Sequence, residues 1–299
     1  MTCAVITGAG GQVGYELLRQ SWPSDFEVVP LTRAGLDIAD PVAVARAVTS
    51  NADIVVNVAA YTAVDRAETE RELAWRTNEQ GARILAERCA ELEIPFIHLS
   101  TDYVFDGGKS SPYVESDDVG PLNEYGRSKL AGENAVREAL PRHIILRTSS
   151  VFGQSGANFV KTMLRLGAER DSLKIVADQM SCPTPARDIA TALVAICRAV
   201  IADPNSVEWG TYHFCGTPET TWSQFAGTIF ALSGARGGRV PRIIDIEAKD
   251  YRTDARRPGY SVMGCEKISN NFKIDRPSWA DGLADVLNSL SNGGGNHGH

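Results

Sequence analysis

Three observations predict an α/β fold built on a doubly wound parallel sheet. Short apolar runs alternate with segments of helical periodicity through the first half of the 299-residue chain, as parallel strands alternate with crossover helices. The first run ends in a glycine-rich turn that opens into a helix. A later run ends in small residues, as strands do where an open sheet takes a ligand at its carboxyl edge. Together they describe a Rossmann-like, dinucleotide-binding domain over residues 1–150, to which later segments return. Residues 151–299, with shorter strands and more loop, read mainly as a smaller C-terminal substrate-binding lobe, with a disordered tail from about residue 292.

The opening strand, Cys3 to Thr7, runs into Gly8-Ala9-Gly10-Gly11-Gln12-Val13-Gly14 and then the helical pattern Tyr15 to Gln20. Strand, glycine turn and helix form the context that seats a dinucleotide pyrophosphate on a helix amino terminus. The spacing is Gly8-x-x-Gly11-x-x-Gly14, and the strict G-x-G-x-x-G fails at Val13. A second strand, Phe26 to Leu31, ends at Thr32-Arg33. An acidic residue there would hold the ribose 2′-hydroxyl of NAD, whereas an arginine accommodates a 2′-phosphate. Arg33 therefore favours NADPH and leaves NADH open.

Asp37 to Pro41 starts a helix with proline just inside, and Val42 to Val48 continues it. A third strand, Asp53 to Val58, ends at Ala59-Ala60-Tyr61-Thr62, where small residues let a ligand approach the backbone. One long helix is expected from Glu68 to Leu92. The fourth strand, Pro95 to Leu99, holds His98 among apolar residues, read as a core histidine, and emerges as Ser100-Thr101-Asp102-Tyr103. Thr101 would offer a hydroxyl to a substrate carbonyl, although Ser-Thr-Asp after a strand is commonly a cap or turn. Asp106 to Asn123 reads as a loop over the site.

Tyr125-Gly126-Arg127-Ser128-Lys129 then begins a helix, and His143 to Thr148 is the fifth strand. Residues i and i+4 share a helix face, so the phenol and the ammonium address one volume. A free tyrosine, with a pKa of about 10, is a poor proton shuttle near neutrality, and a nearby lysine cation lowers that value. Beyond come a helix from Asn158 to Leu166, a strand Leu173 to Val176, a helix Arg187 to Val200, a strand Thr211 to Phe214 and a helix Trp222 to Leu232. Arg256-Arg257 before Pro258 could clamp a diphosphate, with a solvated basic loop as the alternative.

A formal net charge of −7 without any Lys/Arg-rich run gives no electrostatic reason to expect nucleic acid. The six cysteines lack C-x-x-C spacing, which suggests neither zinc nor disulfides but reduced thiols in a cytoplasmic protein. No signal-peptide pattern and no membrane-length apolar run is seen. No metal site is expected, and a homodimer is left open.

Taken together, Thr7-Gly8-x-x-Gly11-x-x-Gly14, Ser100-Thr101-Asp102-Tyr103-Val104-Phe105-Asp106-Gly107 and Tyr125-Gly126-x-Ser128-Lys129 resemble the extended short-chain dehydrogenase/reductase superfamily. Within it they look most like the dTDP-4-dehydrorhamnose reductases, a similarity spanning nearly the whole chain. The resemblance implies that Tyr125 donates a proton, Lys129 tunes it and holds the nicotinamide ribose, and Thr101 aligns a sugar ketone. It implies a cofactor site along Gly8, Gly11, Gln12, Val13, Gly14, Arg33, Asp37, Ile38, Ala60, Tyr61 and Thr62. Asp102, Ser150, Asn158 and Arg256 fall on the side of a dTDP-linked 4-keto-6-deoxy sugar. The implied reaction is NADPH-dependent reduction of the C4 ketone of dTDP-4-dehydro-L-rhamnose to dTDP-L-rhamnose. Two residues depart from the family pattern: Ser150 stands where a tryptophan is common, and Ser181 where a glycine is usual after Asp178-Gln179. The alternatives are reduction or epimerisation of another nucleotide-linked 4-keto-6-deoxy sugar, and a non-catalytic NADP-binding regulatory subunit. Asp102-Tyr103 lacks the second carboxylate that the superfamily's dehydratases place after the threonine.

Overall fold

The structure, a computed structural model, describes residues 1–293. The first half supplies β1 (Thr2–Thr7), β2 (Phe26–Leu31), β3 (Ile54–Asn57), β4 (Phe96–Thr101) and β5 (His143–Thr148). The second supplies β6 (Val151–Phe152), β7 (Ser172–Val176), β8 (Met180–Ser181), β9 (Thr184–Pro185), β10 (Gly210–His213), β11 (Thr220–Thr221) and β12 (Arg242–Ile246). A six-stranded sheet runs in the order β10-β5-β4-β3-β1-β2, every neighbour parallel. The expected doubly wound α/β fold is therefore present.

The helices are α1 (Gln12–Leu17), α2 (Pro41–Ala47), α3 (Arg71–Trp75), α4 (Gly81–Glu91), α5 (Glu124–Ala139), α6 (Phe159–Glu169), α7 (Ala186–Ala202), α8 (Trp222–Gly234), α9 (Glu266–Phe272) and α10 (Trp279–Gly293). Strand residues alternate between two cores, as a period of two requires. Ala4 and Ile6 join Val13, Leu17 and Leu193 under α1 and α7, while Val5 joins Val44, Leu85 and Val136 under α2, α4 and α5. A third core, with Phe152, Phe225, Phe230 and Trp279, belongs to the second half. No helix among the described residues is long and apolar enough to cross a membrane.

The chain leaves β1 for β2, then crosses back to place β3 on the other side of β1. Such a reversal opens a crevice at the carboxyl ends of the two strands where open sheets bind ligands. Residues 210–213 return from the second half to the sheet edge, pairing Gly210 with Ile144 through His213 with Arg147.

Two sequence expectations are corrected, and some elements had none. The helix expected from Glu68 to Leu92 is broken at Thr69-Glu70, and its later part carries a π-turn at Arg76–Gln80 between α3 and α4. That extra residue per turn, frequent at functional sites, sets Asn78 inward. The strand β12 and the helices α9 and α10 were not read from the sequence. The tail expected to be disordered from about 292 overlaps α10 at Asn292 and Gly293, and residues 294–299 lie outside the described residues.

Candidate active site

The glycine turn closes on itself because Gly11 N–H donates to the Gly8 carbonyl at 2.9 Å. Gly8 sits at φ +76° with Ala59 against it, where a Cβ would come within 2.4 Å of the Ala59 nitrogen. A left-handed backbone and this close approach both require glycine. No side chain caps the amino terminus of α1, which leaves its first N–H groups without a side-chain partner where the chain comes off β1. Gln12 bridges this turn to the second half, its Oε1 accepting from Asn158 Nδ2 at 2.9 Å. Val13 packs beneath the turn, and Gly14 lies against the Gly8 carbonyl.

Past β2, Arg33 is exposed, as is Asp37, while Ile38 is buried. Asp37 pairs with Arg76 at 2.5 Å. Burial opposes its ionisation, but the Ala39 N–H, Arg76 and Arg33 together hold its carboxyl below the usual value. Two guanidinium groups thus flank the outer end of this strand. At the end of β3, Ala60, Tyr61 and the exposed Thr62 line the path toward α5. Tyr61 is clamped at both backbone groups by Asn78, whose amide also donates to Ser128 Oγ at 2.9 Å. The π-turn therefore ties the cofactor-side loop to the helix that carries Tyr125.

Thr101 ends β4 and caps a short helical turn, accepting from Tyr103 N–H at 3.2 Å and donating to Asp102 Oδ1 at 3.1 Å. The cap and the site reading describe one residue. Asp102 is buried and also accepts from Ser149 Oγ at 2.8 Å. Burial pushes its carboxyl up to about 6, against the Ser261, Ser149 and Thr101 hydroxyls.

Asn123 caps α5, accepting from Gly126 N–H at 2.8 Å and donating to the Arg256 carbonyl at 2.8 Å. A Cβ on Gly126 would fall 2.3 Å from the Tyr103 carbonyl, so glycine lets α5 start against the turn after Thr101. This brings the half-buried Tyr125 beside Thr101 and edge-on to Tyr103, ring centroids 5.9 Å apart. Lys129, one turn later, is buried, with Nζ donating to the Leu99 carbonyl at 2.7 Å and 3.3 Å from His98 Nε2.

The electrostatics correct one expectation. Burial pushes the Tyr125 hydroxyl up to about 12, Thr101 lowering and Asp102 raising it, and Lys129 is not among the groups that bring it down. Burial pushes Lys129 itself down to about 8, with Glu133 pulling the other way. The lysine that was expected to acidify the phenol is docked on β4 and weakened as a cation.

On the second-half side, Ser150 holds φ +46° and its hydroxyl meets Ser181 Oγ at 3.2 Å. The two departures from the family pattern thus touch. They line a small cleft with Tyr103, Gln179, Trp222 and Arg257, so an indole from α8 stands near the place where Ser150 lacks one. Asn158 is fully engaged, capping α6 through Lys161 N–H and donating to Gln12 and the Gly153 carbonyl. The paired arginines do not act as one clamp: Arg257 is committed to Asp65, with contacts of 3.1 and 2.7 Å, while Arg256 is exposed. Sequence reading missed Asn57, Asn78, Ser149 and Trp222. The signal for Asn57 was a polar residue ending the apolar run of β3.

A parallel sheet with a glycine turn at its reversal point, Thr101 at the end of β4 and Tyr125 and Lys129 on α5 defines the short-chain dehydrogenase/reductase class. The chain belongs to the family described as RmlD substrate binding domain, whose model matches residues 1–292. It is 45% identical over 286 residues to a dTDP-4-dehydrorhamnose reductase of Sinorhizobium fredii, covering 95% of this chain and 96% of that one. It is 39% identical to the Escherichia coli protein of that name, covering 96% and 97%. A crystal structure of dTDP-4-dehydrorhamnose reductase from Bacillus anthracis in complex with NADP superposes with a TM-score of 0.88 at 34% identity, covering 97% of this chain and 100% of that one.

Proposed function

We propose that the protein reduces the C4 ketone of dTDP-4-dehydro-L-rhamnose to dTDP-L-rhamnose with NADPH. The observation that supports this reading is Tyr125 beside Thr101 at the end of β4, with Lys129 one turn further along α5, in a chain 45% identical to a relative named for that reaction. The residues present fit the cofactor. The uncapped turn at Gly11 to Gly14 offers N–H groups for a pyrophosphate, and Arg33 and Arg76 offer guanidinium groups for a 2′-phosphate. Ile38, Ala60, Tyr61 and Thr62 would flank the adenosine and the ribose nearer α5. When bound, NADPH supplies the hydride.

The first half would hold the dinucleotide and the second would close over the sugar, with Asp102, Ser150 and the exposed Arg256 toward the substrate. Tyr125 gives up its hydroxyl proton to the oxygen that becomes an alcohol, and Thr101 hydrogen-bonds the same oxygen. Lys129, as an ammonium, stabilises the phenolate left behind. Loss of NADPH and NADH absorbance with dTDP-4-keto-L-rhamnose, and with its 4-keto-6-deoxy-D-glucose precursor, tests the reading. Stoichiometric consumption with the first sugar is expected. Tyr125→Phe should lower turnover by about 10²- to 10⁴-fold with NADPH binding nearly unchanged, and near-normal turnover in that variant removes the assignment.

A further inference from the structure

Among the buried titratable side chains that the mechanism leaves unused is one on β4, beside Lys129. His98 lies in β4 between Asn57 and Lys129, and the hydrogen bonds around it fix where its proton sits. Asn57 Oδ1 accepts from the Ala59 N–H at 3.0 Å and from the Thr7 hydroxyl at 2.7 Å. A flipped amide would set an NH₂ against that backbone N–H, so Asn57 Nδ2 must face His98 Nδ1, 3.0 Å away, and donate to it. A neutral imidazole has one donor and one acceptor. Burial, the largest cause, and the Arg137 guanidinium keep this ring neutral whether or not Lys129 carries a charge. Its proton is therefore on Nε2, which faces Lys129 Nζ at 3.3 Å.

An ammonium has three donors and no lone pair, so an Nε2–H can donate only to a neutral amine. We propose that His98, oriented by Asn57 and Thr7, is a positioning residue that docks Lys129 on β4 as a neutral amine and releases it when it is protonated. The inference rests on the role given to Lys129 above. The groups facing Nζ agree with it. From β4 come the His98 donor and the Leu99 carbonyl, which takes one amine hydrogen. From α5 come Tyr125 one turn before and Glu133 one turn after. Glu133 alone favours the ammonium, and its carboxylate is engaged by Arg147 and Arg137. A protonated Nζ lacks an acceptor at His98 and turns toward the helix face that carries Tyr125. Other buried histidines are built the opposite way: His143 and His213 present Nδ1 to the Leu140 and Tyr113 carbonyls and so carry their protons there.

Nitrogen NMR of wild-type protein labelled with ¹⁵N-histidine reads the tautomer directly. One non-titrating ring protonated on Nε2, beside two protonated on Nδ1, is expected, and absence of the Nε2–H ring overturns the proposal. The spectrum needs no turnover, so it decides on His98 even if no ketosugar is reduced. The second measurement is the pH profile of kcat. Turnover that needs the ammonium falls as pH rises through the Lys129 pKa of about 8. His98→Gln can rotate its amide oxygen toward Nζ. Asn57→Ala frees the ring to offer its Nε2 lone pair without touching Lys129. Each should move the alkaline limb up by about one pH unit. A limb unmoved in both folded variants, whatever their Tm, overturns the proposal.

Discussion

Two ionisable side chains one turn apart on α5 are both buried, and the helix treats them in opposite ways. Glu133 accepts from Arg147 at 2.9 and 2.7 Å and from Arg137 at 2.7 Å. Although burial opposes its ionisation, Arg147 and Arg137 hold its carboxyl down to about 2. Lys129 has only neutral partners, and burial pushes it down to about 8. A buried charge with complete partners is locked into one state. One left short of them is poised between two states near working pH, which is where proton chemistry needs it. The scaffold end and the site end of one helix are distinguished by how fully their charges are answered.

The largest expected break is at the locked end. Glu133→Gln leaves two guanidinium groups without their carboxylate, one of them buried, and should cost about 3–5 kcal/mol in urea unfolding. Turnover per folded molecule should change far less. Lys129→Met should do the reverse, lowering kcat by about 10²- to 10³-fold while Tm holds or rises, because a buried amine with no carboxylate partner is replaced by an apolar chain. Equal losses of stability in the two variants would erase the distinction.

The pH dependence sharpens it. Glu133's folded pKa lies below its ordinary 4.5, so its stabilisation is fully present above 4.5 and lost as pH falls toward 2. The stability gap between wild type and Glu133→Gln should close over that window. Lys129's folded pKa lies below its ordinary 10.5, so its burial costs stability below about 8 and the cost fades as pH rises to 10.5. The gap between Lys129→Met and wild type should close there instead. The smallest effect is expected at Arg256, whose exposed side chain should change stability by less than about 0.5 kcal/mol when replaced by alanine. Its removal should appear in the KM of the sugar nucleotide.

The strands of the main sheet were legible because their apolar runs are short and bounded by turn residues. The Phe26–Leu31 and His143–Thr148 runs match β2 and β5 end to end. The π-turn at Arg76–Gln80 was not, since it leaves the apolar period nearly intact and is held by Asn78 reaching Tyr61 and Ser128, partners far away in sequence. At the site, spacing showed that Tyr125 and Lys129 share a face. Whether Lys129 is cation or amine depends on Asn57 and His98, which lie on β3 and β4 and look like core residues one at a time.

The return of β10 to the main sheet carries a consequence for synthesis. As the nascent chain leaves the ribosome, β5 stands as an uncovered margin until residues 210–213 have been made. His213, whose Nε2 lies 3.4 Å from Arg147, and Thr211, whose hydroxyl meets Arg137, arrive only then. The emerging polypeptide must keep that margin from pairing with its neighbours on the polysome, so cutting it at residue 150 should yield an aggregating fragment.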